Sequence, residues 1–594
     1  MTLWQSFKRL MDPSPTTLNQ TFSLGDRGEQ PVVEQRSAER LADAQTSAEG
    51  VISHIDNLLN AVPEGTKALE EAGDLAASLD QNIERLKTLF RMPANKDLII
   101  REVQIASQPP TRAVVCFMEG LSDKMVINTH ILQPLMLLSH LDHHVDGKGE
   151  AGETTFTIDT VLQRMLPGNQ VTKKYLMDDA AEVLLAGDTV IFFEGARIAL
   201  DVDTKAPPVR SVGRPQNERT IQGSQDAFVE AWRVNVALVR RRLKDPRVIT
   251  EILSVGTISR NYIGLMYIDG IASPKLVAEV KRRIDAIKVD IVNDTGVLEQ
   301  YIEDSPAAFL PGALTTERPD RTAAYLSEGH VAAFVDTSPY ALICPVTFWS
   351  LLQTAEDYYL RAPYGTMLRY IRMGALLITL MMPSLYIALV NYHHEMIPTE
   401  LMLFIASARE QVPMPAVAEL LLMDTIFELI REAGTRIPSV VGPTIGLVAS
   451  LILGQAAVEA RIVSPVLILI VAVSGLASFA IPNYLIGFGV RLLRFALLLG
   501  AATLGFYGLG AGLFVMVLYL AGMRSFGVPY LSPVAPFRGN ARDVLHRPPM
   551  FQMEKRPTYT HPLDNRRQRE VVRKWDPITR TADKGDEPGK GDNS

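Results

Sequence analysis

The rhythm of apolar positions changes twice along the chain. Over residues 1–80 apolar side chains are sparse: Leu58, Leu59, Leu69, Leu75 and Leu79 stand apart in a background of Ala, Glu, Asp, Gln and Ser. Such spacing supports no firm core. Residues 1–90 are therefore expected to form a variable extension, partly disordered or helical, with a partner-binding arm as the sharper alternative. Short apolar, β-branched runs follow at Leu98–Ile105 and Ala113–Met118, then at Thr189–Phe193 and Arg197–Val202, a hairpin turning at Glu194-Gly195. A Pro- and Arg-containing stretch, 205–219, predicts a linker. Beyond it Phe228, Trp232, Val236, Val239 and Leu243 recur at helical spacing and predict an amphipathic helix over Gln225–Leu243. Its Arg240, Arg241 and Arg242 fit the negative end of the helix dipole. Strands at Ile249–Ser254 and Ile263–Ile268, a helix at Pro274–Ala286 with Pro in its first turn, and a hairpin of Val331–Val335 with Tyr340–Cys344 complete a second unit. The pattern gives two cytoplasmic α/β subdomains, 91–204 and 220–362, with no strict internal repeat.

After Arg372 the pattern becomes continuous apolar runs: Met373–Val390, Ile437–Val458, Ile462–Val490 and Phe495–Met523 carry no charge. A helix needs about 20 apolar residues to cross a bilayer. The fold class is thus an α/β soluble N-terminal region of two subdomains followed by an α-helical multi-pass transmembrane domain, 363–530. Its spans are expected near 370–390, 440–458, 462–482 and 495–523, with interfacial helices within 396–434. The last two runs can also bend or hold two short segments each; Pro482-Asn483 ends the third span. Arg369 and Arg372 precede the first run, and Arg524 and a tail rich in Arg566, Arg567, Arg569, Arg573 and Lys574 follow the last. Positive flanks mark the cytoplasmic side, so both termini are expected there. The basic tail, 531–594, is expected to be disordered.

Charged positions inside this apolar half are the candidate functional residues. Between Asn391 and Arg436 stand Glu395, Glu400, Glu410, Glu419, Asp424, Glu428 and Glu432 against Arg409, Arg431 and Arg436, an acidic excess suited to the opposite face. Asp424, Glu428 and Glu432 are four apart and share one helix face, where like charges cost about 0.2–0.5 kcal/mol per pair. They form either an exposed interfacial helix or an acidic vestibule in an oligomer. Arg491 and Arg494 would fall at the outer end of the fourth span, against the positive-inside tendency, and are expected to pair with those carboxylates. Gly442, Gly446, Ser450 and Gly454 recur every four residues, a spacing that lets helices pack closely in lipid. Gln455 and Glu459 follow. Glu459 either caps its helix near Arg461 or helps form a cation-attracting inner mouth.

Composition narrows the function classes. The net charge of −7 argues against nucleic-acid binding. Two distant cysteines, Cys116 and Cys344, make no disulfide scaffold and fit a reducing compartment. Met1–Thr16 has no apolar core of the kind a secretory signal carries. His140, His143 and His144 cluster without a completing ligand, and His393-His394-Glu395 runs into Pro398, which breaks the zinc-protease spacing. No phosphate-binding loop, dinucleotide turn or nucleophile elbow occurs. No cofactor, metal site or enzymatic activity is expected.

A set of longer strings is more specific. It runs through Leu310-Pro311-Gly312, Thr316-Glu317-Arg318-Pro319-Asp320, Glu356-Asp357-Tyr358-Tyr359, Glu395-Met396-Ile397-Pro398-Thr399-Glu400-Leu401, Ile430-Arg431-Glu432-Ala433-Gly434, Gly454-Gln455-Ala456-Ala457-Val458-Glu459-Ala460, Val463-Ser464-Pro465 and Arg524-Ser525-Phe526-Gly527-Val528-Pro529-Tyr530-Leu531-Ser532-Pro533. In order and spacing, from about Asp97 to Phe537, the chain resembles the A subunit of the spore germinant receptors, the GerA family. One departure stands out: where the family commonly has a Gly-Pro-Arg/Lys-Glu-like string, this chain reads Gly223-Ser224-Gln225-Asp226. The resemblance implies a place in the spore inner membrane beside a transporter-like, nutrient-binding B subunit and a lipoprotein C subunit. It further implies homo-oligomerisation into a nutrient-gated channel for monovalent cations that commits the spore to germinate. Two rival roles are an accessory paralogue that amplifies ion release and a non-conducting scaffold for germination proteins.

Overall fold

The computed structural model describes residues 75–105, 111–137, 161, 166, 171–205, 213–436, 454–537 and 543–568. Helix α1 (Leu79–Leu89) leads into β1 (Leu98–Ile105) and β2 (Thr111–Met118). A helical stretch in three pieces, Lys124–Val126, Ile127–Leu132 and Gln133–Leu137 (α2), is followed by β3 (Val171–Lys174), α3 (Met177–Ala186), β4 (Thr189–Phe193) and β5 (Ala199–Val202). The second unit runs α4 (Trp232–Arg240), β6 (Val248–Val255), β7 (Asn261–Ile268), α5 (Pro274–Asp285), α6 (Thr295–Ile302), β8 (Leu314–Thr316), α7 (Pro319–Ser327), β9 (Val331–Val335) and β10 (Ala341–Cys344).

The two units are copies of one plan. Their antiparallel sheets have the orders β1-β2-β4-β5-β3 and β6-β7-β9-β10-β8. Leu98 pairs with Met118, and Val248 with Ile268, so equivalent residues lie 150 positions apart (248 − 98 and 268 − 118). The turn after each second strand keeps the same chemistry: Glu119-Gly120-Leu121-Ser122 and Asp269-Gly270-Ile271-Ala272. Gly120 (φ 85°) and Gly270 (φ 78°) both occupy the left-handed region that L side chains avoid. The sequence shows no strict internal repeat, yet the structure shows this duplication. The shared pattern lies in burial and turn geometry, which tolerate exchange among Val, Ile, Leu and Phe, and so leave little residue identity.

Each sheet is covered on both faces. In the first, Leu79 and Leu86 of α1 and Leu184 of α3 pack on Val114, Cys116 and Val190, while Ile127, Ile131 and Leu135 of α2 pack on Val115, Ile191 and Leu200. Helix α1 therefore belongs to the first core rather than to a loose extension; Leu75, Leu79, Ile83, Leu86 and Phe90 are all buried. Cys116 and Cys344 are buried and free. Helix α4 is shorter than its apolar spacing predicts. Asn235 binds the backbone of Val229 through both ends of its amide, at 2.8 and 2.6 Å, and holds the lead-in extended up to Trp232. Arg240 does not serve the dipole at the surface. It is buried and joins the two subdomains, its Nε 2.5 Å from Asp97 and its Nη2 2.9 Å from the Val248 carbonyl. Of the expected linker, 206–212 lies outside the described residues; from 213 on it is largely exposed but tied down by polar contacts, with Glu218 2.7 Å from Arg321.

After α8 (Phe348–Leu352) and α9 (Glu356–Tyr359) the helical domain begins with α10 (Ala362–Tyr392), then α11 (Thr399–Glu410) and α12 (Ala416–Arg436). Residues 437–453 lie outside the described set, so the predicted span near 440–458 is seen only as a helical stretch, 454–459. Then come α13 (Pro465–Phe479), α14 (Tyr484–Leu504) and α15 (Phe506–Gly522). The third expected span, 462–482, holds α13, while the fourth, 495–523, is divided between α14, which begins earlier at Tyr484, and α15. The breaks fall at Asn483, whose side chain caps α14 through the Ile486 amide, and at Gly505, with φ 58° and ψ −133°. Arg491 and Arg494, which were expected to end a span, sit inside α14 because they are buried and paired. By length and composition, α10 and α14 are long and apolar enough to cross a membrane; α13 and α15 are apolar but shorter.

The tail is not a free strand. Through β11 (Arg524–Ser525), β12 (Val528–Pro529) and residues 543–568 it returns to the second subdomain. Arg556 Nε donates to the Ser327 carbonyl at 2.8 Å, Thr560 Oγ1 to the Glu328 carbonyl at 3.1 Å, and Tyr559 is buried against His330. Residues 569–594 lie outside the described set. Burial under this strap pushes the Glu328 carboxyl up to about 7 and the His330 imidazole down to about 4.

Candidate functional site

Helices α12 and α14 bring together the charges singled out inside the apolar half. Arg491 Nε lies 3.3 Å from Glu428 Oε1, and Arg494 Nη2 lies 3.4 Å from Asp424 Oδ2 and 3.7 Å from Glu428 Oε1. Arg431, one turn along α12, is 3.8 Å from Glu428 and donates to Ser478 Oγ of α13 at 2.9 Å. Each guanidinium also lies near an aromatic ring: Arg431 at 5.0 Å from Phe479, Arg491 at 5.5 Å from Phe488 and Arg494 at 5.6 Å from Phe495. Such placements favour a cation in a dry setting.

The pairing is electrostatic and loosely held. Asp424 is only 1 % exposed at its side chain, yet neither of its oxygens accepts a hydrogen bond. A buried carboxylate in this state is held only by nearby positive charge and keeps unused hydrogen-bond capacity. Glu432, next along the same face, is exposed. Gln455 and Glu459 are exposed on the 454–459 stretch; among the described residues no hydrogen bond or ion pair joins them to this ladder. Gly454 is buried, whereas Gly442, Gly446 and Ser450 lie outside the described residues. The same holds for His140, His143 and His144. Among the described residues no group of three or more His, Cys, Asp or Glu could hold a metal ion.

Sequence reasoning missed two features. Glu419 is fully buried and accepts the Ser464 amide at 3.1 Å, which caps the start of α13. The second is a charge cluster at the base of α10. Asp357 lies 2.8 Å from Arg372 and 3.2 Å from Arg369, and Arg369 reaches Asp543 of the tail at 2.6 Å. Arg369 and Arg372, read as the positive flank of the first span, are buried. Tyr358 Oη donates to Asp543 at 2.6 Å, and Tyr359 Oη bonds Asp320. Arg318 ties Asp320 to the carbonyls of Glu218 and Ser224. The strings Thr316–Asp320 and Glu356–Tyr359 are thereby one clamp between the second subdomain and α10. In the departing string, Asp226 keeps a carboxylate 2.6 Å from Arg242. The signal that could have located this clamp was acid and arginine alternating in short strings on both sides of a predicted domain boundary.

Comparison with known proteins fits this architecture. Residues 84–559 match a family model described as the Bacillus/Clostridium GerA spore germination protein. Spore germination protein KA of Bacillus subtilis is 38 % identical over 83 % of this chain and 89 % of its own length. The uncharacterized membrane protein YfkQ of Bacillus subtilis is 37 % identical over 83 % of this chain and 94 % of its own. Spore germination protein GerLA of Bacillus cereus is 38 % identical over 79 % of this chain and 93 % of its own.

Proposed function

Because this chain belongs to the GerA family of spore germination proteins, we propose that it is the A subunit of a nutrient germinant receptor in the spore inner membrane. In this reading it assembles with B and C subunits and with further copies of itself, both termini face the cytoplasm, and α10 and α13–α15 lie in lipid. The oligomer conducts monovalent cations when nutrient binds a partner subunit. The observation that carries the reading is the Asp424–Arg494–Glu428–Arg491 ladder. Ionisable groups within apolar helices are expensive, and where they persist they commonly serve ion passage or its control. Ligand binding would act by favouring one of two packings of α12 against α14. Acidic groups near such a path favour cations.

The test is conductance. The chain is reconstituted with its B and C partners in planar bilayers and exposed to candidate nutrients. Nutrient-dependent potassium current that changes with Asp424→Asn supports the reading. A correctly assembled complex that stays silent with every nutrient overturns it in favour of a scaffold. Cysteine labelling from each side of the membrane tests the topology separately.

A further inference from the structure

The string Leu310-Pro311-Gly312 has no part in the ladder. It belongs to the loop 305–313, between α6 and β8, which is gripped from two sides. On the membrane side, the Phe309 amide donates to Tyr519 Oη of α15 at 3.0 Å, and the two rings lie 6.1 Å apart. The Phe309 carbonyl meets α14 at Gly489, where a Cβ would lie 2.2 Å from that oxygen, so no larger residue fits. Tyr530 Oη donates to the Pro311 carbonyl at 2.9 Å, and Ser525 Oγ to the Gly312 carbonyl at 2.7 Å.

On the cytoplasmic side the grip is made by two carboxylates. Glu303 Oε2 accepts the Gly312 amide at 3.1 Å, and a Cβ at Gly312 would lie 2.8 Å from the same atom. Glu299, one turn earlier on α6, faces the Ala313 amide, is 6 % exposed, and has an Oε1 with no hydrogen-bond partner. The nearby cation is already engaged: Arg283 of α5 lies 2.8 Å from Glu279 and 2.6 Å from Asp304. The other groups facing the pair are Asp304, the Cys344 thiol of β10, and the phenols of Tyr519 and Tyr530. None of these supplies positive charge.

We propose that loop 305–313 is the joint coupling the second subdomain to α14 and α15, and that protons bound at Glu299 and Glu303 set how tightly the joint is held. Two carboxylates four residues apart, one of them dry and without a cation of its own, hold the loop well while protonated. Ionisation places like charges side by side beneath it. Burial pushes Glu299 up to about 8, with Glu303 adding to it, and burial pushes Glu303 up to about 7. Both folded values exceed the ordinary carboxylate value. Their contribution to the grip is therefore complete below about 4.5 and is lost as pH rises through 7 and 8. This holds whether or not the helices conduct ions.

Hydrogen exchange on the full chain in lipid nanodiscs tests it, with rates at pH 6 and pH 9 normalised to those of unstructured peptides. The amides of Phe309, Gly312 and Ala313 should lose protection by about tenfold or more on going to pH 9, whereas β6 and β7 should not. Glu299→Gln with Glu303→Gln should remove that pH dependence. If the double variant fails to fold, Glu303→Gln alone should reduce the slope. Tyr519→Phe should lower protection at both pH values and leave the slope intact. A wild-type loop with no pH dependence, or an unchanged slope in the folded carboxylate variants, overturns the proposal.

Discussion

Two clusters of buried charge hold parts of the helical domain, one at the base of α10 and one between α12 and α14, and they are built differently. At the base of α10, Asp357 accepts from Arg372 at 2.8 Å through both oxygens, from Arg369 at 3.2 Å and from Thr354 Oγ1 at 3.1 Å. Between α12 and α14, the separations run from 3.3 to 3.7 Å, and Asp424 accepts no hydrogen bond. The first cluster is a lock, because every charge is fixed by direct, charge-assisted bonds. The second is charge balance without fixed geometry, which permits rearrangement. The lock fastens the stretch after the second subdomain, the tail and α10 to one another, and the looser ladder lies among the helices proposed to move.

The sharpest way to break this contrast is to remove each acid in turn. Asp357→Ala strands two buried guanidinium groups and should destabilise the protein by about 3–5 kcal/mol. Its expected readout is a large fall in the thermal midpoint of the detergent-purified protein, with release of 543–568 to protease. A midpoint close to wild type would show that the cluster is no lock.

Arg494→Ala comes next. It removes the nearest positive charge from Asp424 and should destabilise by about 2–3 kcal/mol, less than the lock because no hydrogen bond to the carboxylate is lost. The double variant with Asp424→Ala should recover part of the loss, giving a coupling energy of about 1 kcal/mol or more in a double-mutant cycle. Strict additivity would mean that the two side chains do not act on each other.

Asp424→Asn should cost within about 1 kcal/mol, since the volume is kept and no hydrogen bond is broken. The same exchange at Asp357 should cost several times more. Equal costs at the two sites, measured as midpoints under one condition, would erase the distinction between lock and ladder.

How far each cluster was legible in the sequence follows from the same difference. Asp424, Glu428, Arg491 and Arg494 stood out because charge is rare in apolar runs, and the structure places them within ion-pair distance. The lock was hidden, because Asp357, Arg369 and Asp543 lie in ordinary polar surroundings and meet only through the returning tail. Strands β1, β4 and β9 were readable from short β-branched runs. Strands β3 and β8 were not, since three of the four residues in Val171–Lys174 are polar and Leu314–Thr316 has only three residues. The break at Asn483 was legible as the end of the third span, whereas the start of α14 ahead of Arg491 and the break at Gly505 were not: a paired, buried arginine does not end a helix, and Gly505 does.

The smallest expected effect concerns Glu459. It is exposed at the end of the 454–459 stretch, and among the described residues no ion pair or hydrogen bond holds it. Surface substitutions of this kind usually change stability by within about 0.5 kcal/mol, so Glu459→Gln should leave the thermal midpoint where it is. That silence makes the variant informative. If Glu459 faces a cation path in the assembled oligomer, potassium current at low salt should fall, and the deficit should shrink as ionic strength rises and screens the lost charge. If Glu459 only ends its helix, current and midpoint should both match wild type at every salt concentration. A fall in the midpoint with unchanged current would instead place Glu459 in a packing interface between copies, and would end its candidacy as part of an ion path.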